Sequence, residues 1–133
     1  MKYMLDTNTC IFIIKQKPEA VIKHFLTLKP DDVCISSITY AELCHGVEKS
    51  KAKDKNRLAL ALFLANIPIL FFDDKSSEAY GEIKTQLESE GVPIGPMDML
   101  IAAHAKSKSL TLVTNNTREF KRVKALRLED WVC

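Results

Sequence analysis

The chain has 133 residues, 47% of them hydrophobic and 27% charged, with 19 Lys and Arg against 17 Asp and Glu for a formal charge of +2. Length and composition fit one globular domain spanning residues 1–133 and exclude a disordered chain. The near-neutral balance excludes a protein that holds nucleic acid by bulk charge alone.

In chain order, Lys2–Leu5 is a short apolar run stopped by Asp6-Thr7-Asn8, which predicts a strand and a turn. Thr9–Lys15 predicts a short helix. Pro18–Leu28 predicts a second, with Pro18 at its first position and Val21, Ile22, Phe25 and Leu26 at helical spacing. Val33–Ile35 is the second strand, and Ser36, Ser37 and Thr39 are candidate caps for a helix running to about Glu48. Lys49–Asn56 reads as a turn or an exposed helix start, and Leu58–Asn66 as a helix closed before Pro68. Ile69–Phe72 is the third strand. Asp73-Asp74 open a long helix to about Glu90, which Gly91 ends. Val92–Pro96 is a loop, Met97–Lys106 a helix and Leu110–Val113 the fourth strand. Thr117–Arg122 is a short helix and Leu126–Leu128 an edge strand. Alternating β and α elements with short, continuously apolar strands predict an α/β fold: a three-layer α/β/α sandwich around a short, mostly parallel sheet.

The cysteines, Cys10, Cys34, Cys44 and Cys133, have no C-x-x-C spacing and no His at a zinc-like interval. They read as small buried hydrophobes in a reducing compartment. Asp6 interrupts the first apolar stretch too early for a signal peptide, and the run Leu58–Ala65 is far below the ~20 residues of a membrane span. These features predict a soluble cytoplasmic protein.

Open α/β sheets bind ligands beyond the carboxyl ends of their strands. Asp6 follows strand 1 directly, and Glu42 lies one to two turns into the helix leaving strand 2. Asp98 opens the helix after Pro93-Ile94-Gly95-Pro96, and Glu119 follows strand 4 in the next short helix. Four acids from distant segments thus converge on one rim. Unit charges 4 Å apart repel by about 1 kcal/mol even in bulk water. A hard divalent cation removes that repulsion, and an all-oxygen ligand set suits Mg²⁺, or Mn²⁺, rather than zinc. Mg²⁺ favours phosphate as a further ligand, so the matching chemistry is phosphodiester hydrolysis. Each acid also has a plainer reading. Asp6 fits a turn or helix cap, Asp98 a helix-dipole partner and Glu119 a surface residue; Glu42, inside an apolar helix, is harder to explain structurally.

Met4-Leu5-Asp6-Thr7-Asn8, then Ser36-Ser37-Ile38-Thr39-Tyr40-Ala41-Glu42-Leu43 with Gly46, form the first two of four ordered motifs. The third is Pro93-Ile94-Gly95-Pro96-Met97-Asp98-Met99-Leu100-Ile101-Ala102-Ala103-His104-Ala105. The fourth is Leu112-Val113-Thr114-Asn115-Asn116-Thr117-Arg118-Glu119-Phe120, followed by Leu128-Glu129-Asp130-Trp131. Together they resemble, from end to end, a PIN-domain ribonuclease of the VapC toxin type, the toxin of a type II toxin–antitoxin pair. The resemblance is nearest to the subgroup that cleaves initiator tRNA in the anticodon stem-loop. It implies a PIN-like sandwich, Mg²⁺ on Asp6 and Asp98 with Glu42 as the second family acid, and Thr7 supporting the first. Where the commonest pattern has a fourth acid this chain has Asn116; Glu119, three residues on, matches the acid of this subgroup. The implied partners are a VapB-like antitoxin, an RNA substrate and a second copy of the chain, with DNA met only through the antitoxin complex.

Charge is unevenly spread. Lys49, Lys51, Lys53, Lys55 and Arg57 form one basic stretch, and Arg118, Lys121, Arg122, Lys124 and Arg127 another beside Glu119. The first is either a solvated face or an RNA contact. In the second, Arg118, Lys121 and Arg122 are the candidate RNA-binding residues. Leu58–Ala65 is apolar all round, so it is either a core helix or, with Thr9–Lys15, partly covered by a partner. Asp73-Asp74 followed by Ser76-Ser77 reads as a cap. His24, His45 and His104 are assigned no ligand role, and Trp131 pins the C-terminus to the core. Two other functions stay open. One is a phosphatase with Asp6 as covalent nucleophile, as in haloacid-dehalogenase-like enzymes, although Asn8 stands where those carry a second Asp. The other is a non-catalytic, antitoxin-bound regulatory module.

Overall fold

The computed structural model describes residues 1–132; Cys133 lies outside the described residues. Strands β1 (Tyr3–Leu5), β2 (Val33–Ser36), β3 (Ile69–Leu70), β4 (Thr111–Val113) and β5 (Leu128–Glu129) form one sheet in the order β3-β2-β1-β4-β5. Every neighbouring pair is parallel, so the sheet expected to be mostly parallel is wholly so. Helices α1 (Thr7–Lys15), α2 (Glu19–Leu26), α3 (Ser37–Glu48), α4 (Lys53–Leu64), α5 (Asp74–Ser89), α6 (Pro96–Ser107) and α7 (Thr117–Phe120) connect the strands.

Successive strand side chains point to opposite faces, so each strand feeds two cores. Met4, Cys34 and Leu112 pack with Ile83, Leu87, Ile101 and Phe120 on the α5–α7 side. Leu5, Ile35 and Val113 pack with Cys10, Ile13, Val21, Leu43 and Trp131 on the α1–α4 side. This double burial explains why the strands read as unbroken apolar runs. Each fully buried Leu or Ile contributes about 1.5–3 kcal/mol relative to exposure. Cys10 and Cys34 are buried free thiols within these cores, and burial pushes the Cys34 thiol up to about 12. Trp131 stacks on His24 with ring centroids 4.4 Å apart, holding the C-terminal segment to α2.

The element ends depart from the sequence reading where caps decide them. α1 begins at Thr7 rather than Thr9, because Asp6 is its N-cap and accepts the Thr9 N–H at 2.9 Å. Pro18 is the residue before α2 rather than its first residue. α4 begins at Lys53 rather than Leu58, so the polar stretch is its first turns; it ends at Leu64, where tighter turns lead to Pro68. The edge strand is Leu128–Glu129, not Leu126–Leu128. Asp73 caps α5 as its sequence suggests, accepting from Ser76 N at 3.0 Å. A hydrogen bond from Lys108 holds its carboxyl well below the usual carboxylate range. Gly91, at φ 68°, supplies the left-handed turn that ends this segment.

The register aligns Leu5 with Ile35 on one side and Val113 on the other. Asp6, Ser36 and Thr114 are therefore the next residues at one edge of the sheet, its carboxyl-terminal edge. Among the described residues no helix is long and apolar enough to cross a membrane.

Candidate functional site

Asp6 leaves β1 at the middle of that edge and is only 5% exposed. Burial is the main cause that raises its pKa, and the Glu42 charge adds to it; hydrogen bonds from Thr114 and Thr9 oppose it. Thr9 is held in turn by its hydroxyl, which donates to the Val113 carbonyl at 3.2 Å. Thr7, the first residue of α1, donates its hydroxyl to Glu42 Oε1 at 2.5 Å. The motif that opens the chain thus positions two acids: one carboxylate caps the helix, and the next hydroxyl reaches across to α3.

α3 starts where it does because Ser36 Oγ accepts the Ile38 N–H at 3.1 Å. The same oxygen lies 2.7 Å from Nδ1 of His104 on α6. His104 is fully buried with the Phe72 ring edge-on at 5.5 Å, and its Nε2 has no partner among the described residues. Burial foremost, and then Lys108, lowers its pKa to about 4, so the ring is neutral near pH 7. A proton on Nδ1 donated to Ser36 leaves Nε2 as a bare lone pair, the less costly atom to bury unpaired.

Asp98 occupies the first turn of α6, after Pro96. A helix N-terminus favours an ionised acid, yet its pKa is raised to about 6. Burial is the largest cause, followed by the charges of Asp6, Glu119 and Glu42. Asp98 therefore senses all three other acids. Glu119, on α7, is held by Asn116, whose Nδ2 donates to Glu119 Oε2 at 3.3 Å. Asn116 is itself fixed by its N–H, which donates to Thr114 Oγ1 at 2.9 Å.

The fold thus brings Asp6, Glu42, Asp98 and Glu119 to one rim, and Thr7 and Asn116 each hold one of the acids. No ion pair among the described residues involves any of the four carboxylates. They are not closed into a cage: among the described residues no group of three or more His, Cys, Asp or Glu stands close enough to hold an ion unaided. The donors are all hard oxygens, which suit a hard divalent cation.

Sequence reasoning missed Thr9, Thr114 and the Ser36–His104 pair. Only the position of Thr114, directly after β4, carried a signal; the His104 contact joins residues that no spacing rule links. The basic cluster beside Glu119 is also narrower than it reads. Arg122 donates to the Pro93 carbonyl at 2.9 Å and braces the loop before α6 rather than standing free. Lys124 faces Glu90 at 3.8 Å, and Arg127 bonds the Ser109 carbonyl. Arg118 and Lys121 remain exposed and without an ion pair among the described residues.

This arrangement, acids gathered past the ends of a short parallel sheet between helical layers, defines a class that a family comparison confirms. Residues 3–126 match the PIN domain model, and the chain belongs to the PIN domain family. It is 46% identical to the tRNA(fMet)-specific endonuclease VapC of Salmonella typhimurium over 98% of each chain. It is 47% identical to the enzyme of the same description from Shigella flexneri, again over 98% of each. The crystal structure of VapBC2 from Rickettsia felis bound to a DNA fragment from their promoter contains a chain that superimposes with a TM-score of 0.92. That chain is 44% identical, with 98% of this chain and 99% of that one covered.

Proposed function

We propose that this protein, one PIN domain over its whole length, is the toxin of a type II toxin–antitoxin pair in the cytoplasm. Its activity is metal-dependent endonucleolytic cleavage of RNA, and its substrate is initiator tRNA, cut in the anticodon stem-loop so that translation stops. The observation that carries the reading is four carboxylates at one sheet edge, none of them ion-paired among the described residues. A fold gains nothing from such a concentration of like charge unless a cation offsets it. Asp6, Asp98 and Glu42 would hold Mg²⁺, with Mn²⁺ as a substitute. The ion would supply positive charge for the phosphate and acidity to an attacking water.

The chain's own groups supply the rest. Thr9 and Thr114 fix Asp6, Thr7 fixes Glu42, and Asn116 aims Glu119 at the same rim, where it can accept the proton that water loses as its oxygen bonds to phosphorus, while the bond from phosphorus to the leaving ribose oxygen breaks and that oxygen takes a proton from solvent. Arg118 and Lys121 contact flanking phosphates. A phosphatase reading in which Asp6 attacks phosphorus fits poorly, because Asp6 is buried and one of its oxygens caps α1. The test is incubation of the purified chain with a pool of folded tRNAs, followed by mapping of new ends. One cut, in initiator tRNA and abolished by chelation, is expected. Undiminished cleavage in chelator, or none with Mg²⁺ or Mn²⁺, refutes it.

The partner is a VapB-like antitoxin, and the complex, a dimer of toxin chains, meets DNA through it. A groove of about 530 Å³ between α1, α2 and α4, lined by Ile14, Phe25, Leu26, Leu62 and Phe63, is the seat for an apolar antitoxin segment. α4 is accordingly neither wholly core nor wholly covered: Leu60 is buried, while Leu58 and Leu62 are 61% and 68% exposed. Leu62→Asp is expected to weaken antitoxin binding about 100-fold by calorimetry while RNA cleavage stays at wild-type rate. Unchanged affinity would place the antitoxin elsewhere.

A further inference from the structure

Helix α3 contains a glycine that the chain's own packing does not require. Gly46 lies in the helix interior with no left-handed φ, and a Cβ built on it meets nothing within 4 Å. Glycine is less favourable than alanine at such a position. Neither a turn nor a close neighbour within the chain offsets that penalty.

Its place on the helix suggests what does. Gly46 is four residues beyond Glu42, and Lys49 seven beyond, so the three form one stripe along α3. The stripe runs about 10 Å, at ~1.5 Å per residue, from the carboxylate rim to the end of the helix. It flanks the core-facing row of Thr39, Leu43 and Val47, all buried. Lys49 is exposed and forms no ion pair among the described residues. The neighbouring Lys53 and Arg57 are both engaged by Glu48. An acid of the site, a patch of bare backbone and a free cation therefore follow one another in line. A polyanionic strand with one phosphate at the acids could lie flat across Gly46 and set a later phosphate on Lys49, whereas a side chain at position 46 would lift it away.

We propose that the Glu42–Gly46–Lys49 stripe is the track along which the RNA backbone leaves the cleavage site. Gly46 permits close approach, and Lys49 pairs with a phosphate a few nucleotides from the cut. This rests on the nuclease reading above and adds a substrate-positioning surface to it. Gly81 provides an internal control: it too is helical with nothing within 4 Å of a built Cβ, but it lies on the acidic helix α5, which carries none of the four acids.

The experiment compares melting temperature and steady-state cleavage of folded tRNA for wild type, Gly46→Ala, Gly81→Ala and Lys49→Gln. Both alanine variants should melt higher than wild type. Only Gly46→Ala should raise KM, by about fivefold or more with kcat within about twofold, the pattern of lost uniform binding. Lys49→Gln should raise KM and reduce the slope of log(kcat/KM) against log[salt] by about 0.7–0.9, the signature of one lost phosphate contact. Wild-type KM in Gly46→Ala, or an unchanged salt slope in Lys49→Gln, overturns the track. So does a Gly46→Ala variant that loses antitoxin affinity but not RNA affinity, which would assign the stripe to the antitoxin. Absence of cleavage by the wild-type chain appears in the first arm and overturns the nuclease reading itself.

Discussion

Asp98→Asn is expected to lower RNA cleavage by on the order of 10³-fold or more, a loss of several kcal/mol of transition-state stabilisation. The same change is expected to make the metal-free protein more stable. Asp98 is held up at about 6 by burial and by the charges of Asp6, Glu119 and Glu42, so its ionised form opposes folding at neutral pH. Asparagine keeps the shape and removes the charge. After a discount for its partial exposure, the gain is about 1–2 kcal/mol, seen as a later urea midpoint in chelator. Mg²⁺ should raise the midpoint of the wild type and leave that of the variant almost unmoved. A variant that is inactive and also less stable would indicate that Asp98 serves the fold rather than the chemistry.

Acidification should separate two groups that pull in opposite directions. His104 falls from its ordinary 6.5 to about 4 on folding. Between those values the unfolded chain binds the extra proton, so its contribution is complete above pH 6.5 and is lost as pH drops, by up to about 3 kcal/mol at pH 4. Asp98 rises from 3.8 to about 6, so in nearly the same window the folded chain binds the extra proton and gains stability as pH drops. Asp6, also raised, acts in the same sense as Asp98. The wild type in chelator should therefore show a shallow profile between pH 6.5 and 4, whereas Asp98→Asn, relieved of the opposing term, should lose stability steeply. Parallel profiles for the two proteins would show that Asp98 does not titrate as described, and a flat profile for Asp98→Asn would show the same of His104.

What the sequence made legible follows from what each signal measures. Strands β1, β2 and β4 were readable because burial on both faces demands uninterrupted apolar runs, and the fully parallel sheet follows from helices between every pair. Helix ends were less readable. α1 starts at Thr7 because the Asp6 side chain bonds the Thr9 N–H, and the same Asp6 reads equally well as a turn or a ligand. The structure shows that it is a cap at the acidic rim, and a cap does not exclude a ligand role. Polar Lys49–Asn56 reads as a turn or an exposed helix start because an exposed first helical turn carries no apolar periodicity, and from Lys53 it is the helix. The four acids were expected at one edge because Asp6, Glu42 and Glu119 follow strands and Asp98 opens a helix after a rigid turn. What orients them could not: Thr7 reaching Glu42, and His104 reaching Ser36, are contacts between residues far apart in the chain that no local pattern encodes. Likewise Arg122 counts as a cation in sequence and as a loop brace in space.

The position of β1 has a temporal consequence. It lies at the centre of the sheet, with β2 on one flank and β4, more than a hundred residues later in the chain, on the other, and the Asp6 amide bonds the Val113 carbonyl. The first acid to leave the ribosome is thus one whose surroundings are finished only after β4 has been made. A partly synthesised polypeptide has the amino-terminal pair but lacks Asp98, Glu119 and the strand that seats them.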